Sequence, residues 1–137
     1  SGKGAEKAGG RWNSKGAAVV YTSQSRALCV AEIAVHADLG IVPTGYELVT
    51  IEIPDTVGIY EIIPDELPPD WKSIPYPGTL QEIGDTLIRE NKYLVIKVPS
   101  AVVQGDFNYL LNPAHPDFLK VKVLKTEKFS FDDRMFF

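Results

Sequence analysis

The stretch "GGRWNSKGAAVVYTSQSRALCVAEIAVHADLG", Gly9 to Gly40, holds a glycine-rich loop, a strand and a helix in succession. Within it "AAVVYT", Ala17 to Thr22, is short and β-prone. Ser23 or Ser25 can cap a helix predicted from Gln24 to Asp38, which Gly40 stops. A helix advances about 100° per residue, so Glu32 falls close to the direction of Leu28, Val35 and Leu39, the stripe expected to be buried. An uncompensated carboxylate in such packing is costly, so Glu32 needs a partner or a ligand. A structural pair with Arg11, or an i,i+4 contact with His36, satisfies that need; so does a role as a catalytic carboxylate at the wall of a cleft. Arg11 follows Gly9 and Gly10, where backbone amides can approach an anion and the guanidinium can grip phosphate in two-pronged fashion. The plainer reading is a solvated loop arginine. Tyr21 ends the strand and can stack on a planar heterocycle or serve as an ordinary sheet aromatic. Trp12 and Asn13 read first as a packed anchor and a turn residue.

Downstream, "YELVTIEIP" (Tyr46 to Pro54) sets Val49, Ile51 and Ile53 on one face, and "VGIYEII" (Val57 to Ile63) reads as a further strand. Prolines at 54 and 64 close the two. "PDELPPDWKSIPYPG", with five prolines from Pro64 to Pro77, predicts an ordered but irregular excursion. Thr79 and Glu82 form a T-x-x-E pattern ahead of Leu80, Ile83, Leu87 and Ile88, which predicts a second helix with a capping box. "KYLVIKVP" (Lys92 to Pro99) reads as a strongly apolar strand and "LKVKVLK" (Leu119 to Lys125) as one with a solvated face. Between them "VPSAVVQGDFNYLLNPAHPDF", Val98 to Phe118, reads as a Pro-punctuated loop. In it Ser100 has no nearby His and acid to activate it, so it is assigned hydrogen bonding or N-capping. His115 reads as a loop histidine and Asn112 as a turn former. Short strands outnumber helices, which predicts an α+β domain with a largely antiparallel or mixed sheet.

The 137 residues, 45% hydrophobic, suit one domain with an ordinary core. A net charge of −4 argues against binding nucleic acid through a general positive field. The distribution says more: residues 1–26 carry five cations against Glu6, and residues 47–90 carry ten carboxylates against Lys72 and Arg89. A basic entry segment suits a small anionic ligand, and the acidic middle suits solubility. Cys29 is the single cysteine and His36 and His115 the only histidines, so neither a disulfide nor a protein-only metal site is expected. Rossmann, P-loop, nucleophile-elbow and zincin signatures are missing. No apolar run long enough to span a bilayer and no signal-peptide core occur, which places the chain in the cytoplasm, off the membrane. The ending "FSFDDRMFF" offers Phe129, Phe131, Phe136 and Phe137 as interface anchors or as a docked terminus.

Four separated stretches, "GGRWNSKGAAVVYTSQSRALCVAE", "VPSAVV", "NYLLNPAHPDF" and "FSFDDR", resemble in order and spacing the RES-domain toxins of bacterial toxin–antitoxin pairs. The family's arginine, glutamate and serine map onto Arg11, Glu32 and Ser100. The resemblance spans nearly the whole chain as one domain, with little ahead of Gly9 where family members have a leading strand. It implies an α+β, ADP-ribosyltransferase-like fold akin to diphtheria toxin, with a mixed, largely antiparallel sheet and flanking helices. It further implies NAD+ as substrate, no metal, cleavage of the nicotinamide–ribose bond, and water, phosphate or a protein as acceptor of ADP-ribose. An Xre-like antitoxin covering the site is the implied partner, with a homodimer inside the complex. In that frame Glu32 steadies the ribose cation, Arg11 holds pyrophosphate, Tyr21 stacks on nicotinamide and Ser100 hydrogen-bonds the sugar or Glu32. Trp12, Asn13 and Asn112 complete the implied binding set. Two other readings stay open: a ribonuclease-type toxin using Arg11 and His115, and a non-enzymatic interaction module in which Glu32 is a structural ion pair.

Overall fold

A computed structural model describes residues 1–38 and 40–136. Its elements in chain order are α1 (Lys3–Ala8), β1 (Val20–Ser23), α2 (Arg26–Ala34), β2 (Tyr46–Glu52), β3 (Ile59–Glu61), α3 (Gly78–Glu90), β4 (Val95–Pro99), β5 (Phe107–Leu111) and β6 (Lys122–Phe129), with short 3-10 turns between some of them. Strands β1-β5-β4-β3 form a four-stranded sheet, and β2 and β6 form a separate ribbon. Only β3 and β4 pair in parallel; β1–β5, β4–β5 and β2–β6 are antiparallel. The mixed, largely antiparallel α+β architecture is the one expected.

β4 and β5 lie at the centre because β4 is apolar on both faces. Val95 and Ile96 are both sealed from solvent, yet they point to opposite sides of the sheet. One side holds Ile96, Val98 and Leu110 with Trp12, Val19, Trp71 and Leu80; the other holds Val95 and Leu111 with Val57 and Leu94. Burying Ile96 or Val98 contributes about 1.5–3 kcal/mol each. α3 covers the first side through Leu80, Ile83, Leu87 and Ile88.

Several local expectations are corrected. The segment read as a Pro-punctuated loop contains β5, which pairs with β1 and β4 and is therefore central rather than peripheral. Its bounding residues, Gly105 with φ +90° and Asn112-Pro113, turn the chain at the strand's ends and do not interrupt it. α1 forms among the first sixteen residues, where crowded glycines and lysines predict a loop. α2 is shorter than predicted: Ser25 caps it by accepting from the Leu28 amide at 3.1 Å, but i→i+3 bonds from His36 to Ile33 and from Ala37 to Ala34 tighten and end it. Val35, expected in the buried stripe, is consequently exposed, and Leu39 lies outside the described residues. α3 starts a residue before Thr79, with Pro77 at its N-cap and no side-chain cap, so the T-x-x-E box is not formed.

The aromatic ending folds back onto the chain. Phe131 packs edge-to-face against Tyr46, Phe129 and Phe136 at centroid distances of 5.2–5.5 Å, and both Phe131 and Phe136 are buried. These three rings are thus internal contacts, and Phe137 lies outside the described residues.

Candidate active site

Alternation along the strands assembles the site. Tyr21 and Ser23 of β1 pair with Leu110 and Asn108 of β5, which pair with Ile96 and Val98 of β4. Residues two apart share a face, so Tyr21, Ser23, Asn108 and, just beyond β4, Ser100 stand on the side that carries the Trp12 core. That core ends where the polar side chains begin, and α2 brings Glu32 onto this border.

Glu32 is half-buried and anchored by one oxygen. Its Oε1 accepts from the Ser100 hydroxyl at 2.9 Å and from Asn108 Nδ2 at 2.7 Å. Oε2 takes no hydrogen bond among the described residues. Ser100 is itself buried and accepts from the Val102 and Val103 amides at 3.1 and 3.0 Å, so its proton is directed at Glu32. Of the two roles anticipated for Ser100, hydrogen bonding is present, whereas bends and a turn rather than a helix follow it, so it caps none. Neither Arg11 nor His36 lies in ion-pair contact with Glu32 among the described residues, which removes both structural partners considered for it.

Arg11 is held by chain from sixty residues away. Its Nη1 donates to the carbonyls of Trp71 at 2.7 Å and Ser73 at 3.1 Å, and the guanidinium lies 4.8 Å from the Tyr76 ring centroid. The Pro-rich excursion therefore forms the outer wall of the Arg11 site. Burial lowers the pKa of Arg11, and Tyr76, Glu32 and Tyr21 push it back up, so the acid and the cation sense one another without touching.

Tyr21 is tied to the Arg11 loop. Its hydroxyl donates to Asn13 Oδ1 at 2.5 Å and accepts from the Trp12 amide at 3.2 Å, while 41% of the residue stays exposed. The hydroxyl is locked and part of the ring is left open for a planar ligand. Asn13, fully buried, uses Nδ2 on the carbonyls of Ala5, Ser14 and Ala17. Trp12 is a core residue. Both shape the Arg11 loop from beneath. Asn112 is buried at the other end of β5, four residues or about 13 Å from Asn108, where it bonds Ile88, Asn91 and Ala114. The structure does not bring it to Glu32. His115 Nδ1 accepts from the Asp117 amide in that same turn, and no hydrogen bond joins it to Arg11 among the described residues.

Asn108 was missed by sequence reasoning because its segment read as loop. The recoverable signal was "FNYLL", aromatic and apolar around one amide. Ser23 donates to Asn108 Oδ1 at 2.7 Å and so completes the cluster. Among the described residues no group of three or more His, Cys, Asp or Glu converges as a metal site, and no helix is long and apolar enough to cross a membrane.

Burial pushes the Tyr21 phenol up to about 12, opposed by the Trp12 amide and Arg11. The folded state therefore holds the Tyr21 proton where the unfolded chain, near pH 10, releases it. Stability from this group is full below pH 10 and declines as pH rises towards 12. Tyr21→Phe is expected to flatten that alkaline decline in denaturant titrations. It also leaves Asn13 Oδ1 without its donor, at a cost of about 1–3 kcal/mol at neutral pH. An unchanged alkaline slope contradicts the assignment.

The chain is similar over most of its length to known proteins. Residues 1–132 match the RES domain. Relatives include "Prs ADP-ribosylating toxin" of Sphingobium sp., 39% identical over 98% of this chain and 85% of that protein. "Toxin Res" of Yersinia enterocolitica is 37% identical over 98% of this chain and 89% of that protein. Among solved structures, the M. tuberculosis MbcT-MbcA toxin-antitoxin complex contains a chain similar in fold, with TM-score 0.71 and 19% identity over 94% of this chain and 76% of that one. That likeness is one of fold. With a family match over residues 1–132 and a relative 39% identical over 98% of its length, the chain belongs to the RES domain family.

Proposed function

We propose that the protein is the toxin of a toxin–antitoxin pair and that it cleaves the nicotinamide–ribose bond of NAD+. The observation that carries this reading is the one-sided anchoring of Glu32: Oε1 is fixed by Ser100 and Asn108, and Oε2 is left to a ligand. The names of the relatives, which include an ADP-ribosylating toxin, support it. So does the fold likeness to a toxin chain from a toxin–antitoxin complex.

In the proposed reaction the C1′–N bond breaks and its electron pair leaves with neutral nicotinamide. Positive charge then develops on the ribose, as in glycoside cleavage. Glu32 Oε2 accepts from a ribose hydroxyl and stabilises that charge at a half-dry border, where a fixed carboxylate acts more strongly than in water. Arg11 faces the pyrophosphate with the guanidinium nitrogens that the Trp71 and Ser73 carbonyls leave free. The exposed ring of Tyr21 stacks on the nicotinamide. An acceptor oxygen or nitrogen bonds to C1′ and gives up its proton, whether it comes from water, phosphate or a protein side chain. An antitoxin covering Glu32 and Arg11 would keep the cytoplasmic NAD+ pool intact.

The test is nicotinamide release by the purified, antitoxin-free chain, followed chromatographically with water, with phosphate and with cell lysate as acceptor. Release in at least one of the three is expected, and the mass of the ADP-ribosyl product identifies the acceptor. Absence of nicotinamide in all three overturns the proposal.

A further inference from the structure

Glu32 is gripped by two donors, each fixed from behind. Ser100 cannot turn its hydroxyl away, because two backbone amides occupy its acceptor side. An asparagine amide, by contrast, can flip and offer oxygen where it offered nitrogen. The Glu32 carboxylate only accepts and so requires Nδ2, and Ser23 reinforces that orientation by donating its hydroxyl proton to Asn108 Oδ1 at 2.7 Å. Ser23 and Asn108 face each other across paired strands at one register level, and Glu32 reaches Asn108 from α2.

We infer that Asn108 and Ser23 form a positioning relay that commits Glu32 to present Oε2 alone to the substrate. This inference deepens the NAD+-cleaving reading and rests on it for its kinetic consequences. Asn108 is a positioning residue: its oxygen is occupied by Ser23 and its nitrogen donates to Glu32, so it acts on the reaction through the carboxylate. Two donors on one oxygen also hold the carboxylate plane, so its free oxygen keeps a single direction. Without Asn108 the single Ser100 contact permits rotation about the terminal bond, and the oxygens can exchange places.

The test uses the full chain free of antitoxin, with steady-state kinetics on NAD+. Asn108→Ala is expected to lower kcat about 10- to 100-fold, the loss for one hydrogen bond to a charged group, with KM changed less than threefold. Ser23→Val is expected to lower kcat about 3- to 10-fold. Ser23→Thr, of the same shape as valine but with the hydroxyl restored, is expected to recover most of that loss. Adding Ser23→Val to Asn108→Ala should cost nothing further, because Ser23 acts only through Asn108. A merely structural Asn108 predicts a lowered melting temperature with kcat of the folded fraction intact, and that result overturns the relay. Additive losses in the double variant overturn it too. Crystal structures of the Ser23→Val and Ser23→Thr variants read the relay without any NAD+ chemistry. Glu32 should lose its single orientation in the first and keep it in the second, and an unchanged Glu32 in Ser23→Val overturns the inference whether or not the wild type consumes NAD+.

Discussion

Glu32→Gln should lower nicotinamide release about 10²- to 10³-fold, in the range found when one preorganised electrostatic group is removed from a transition state, while the melting temperature stays within a few degrees of wild type. The substitution is nearly isosteric. The glutamine carbonyl can still accept from Ser100 and Asn108 at the position now held by Oε1. What changes is the other end, where an oxygen bearing negative charge becomes an NH₂ donor. Binding of NAD+ should persist, because Arg11 and Tyr21 are untouched, so the loss belongs to kcat. Calorimetry with NAD+ and single-turnover kinetics separate the two quantities. A Glu32→Gln protein that turns over at the wild-type rate removes the carboxylate from the mechanism.

The second large effect is on stability. Gly84→Ala should destabilise the protein by about 2–4 kcal/mol and lower the melting temperature by roughly 10 °C. On an exposed helix the same change would gain about 1 kcal/mol, since alanine is the better helix former. Here a Cβ on Gly84 would sit 1.6 Å from the Trp12 carbonyl oxygen and 2.7 Å from its carbonyl carbon. Those are backbone atoms of the loop that carries Arg11, and they cannot rotate aside as a flexible side chain could. The same helix holds that loop through Gln81, whose Nε2 donates to the carbonyls of Gly10 and Asn13, and through Asp85, which accepts from Ser14. Any relief of the overlap must therefore displace the Arg11 loop, and KM for NAD+ should rise in the fraction that still folds. Calorimetric melting and Michaelis kinetics on one sample measure both effects. A variant at least as stable as wild type contradicts this packing of α3 on the loop.

The catalytic candidates were legible for a local reason. Arg11, Tyr21 and Glu32 lie within one loop–strand–helix unit, and a carboxylate in an apolar helical pattern signals an unmet electrostatic need without reference to the rest of the chain. Asn108 was not legible, because its meaning depends on β5 running between β1 and β4, a non-local pairing that the flanking prolines obscured. α1 escaped for a related reason. "KGAEKA" is too short and too glycine-rich to predict a helix by propensity, yet the carbonyl of Ala5 accepts from buried Asn13 and that of Glu6 from the Gly16 amide. Tertiary partners stabilise what local preference does not. The end of α2 shows the opposite limit: Val35 is the last residue whose amide bonds four back, to Ala31, and it is exposed although the apolar periodicity counted it into the buried stripe.

The grip on Arg11 has a consequence for how mutational surveys of this protein will look. Because Trp71 and Ser73 hold the guanidinium with main-chain oxygens, which every amino acid possesses, replacing the side chain at position 73 leaves the clasp in place. Saturation mutagenesis would score that site as tolerant even though the cation's orientation depends on it. Only alterations that redirect the path of the polypeptide, such as a deletion of one residue in this segment, would expose the dependence.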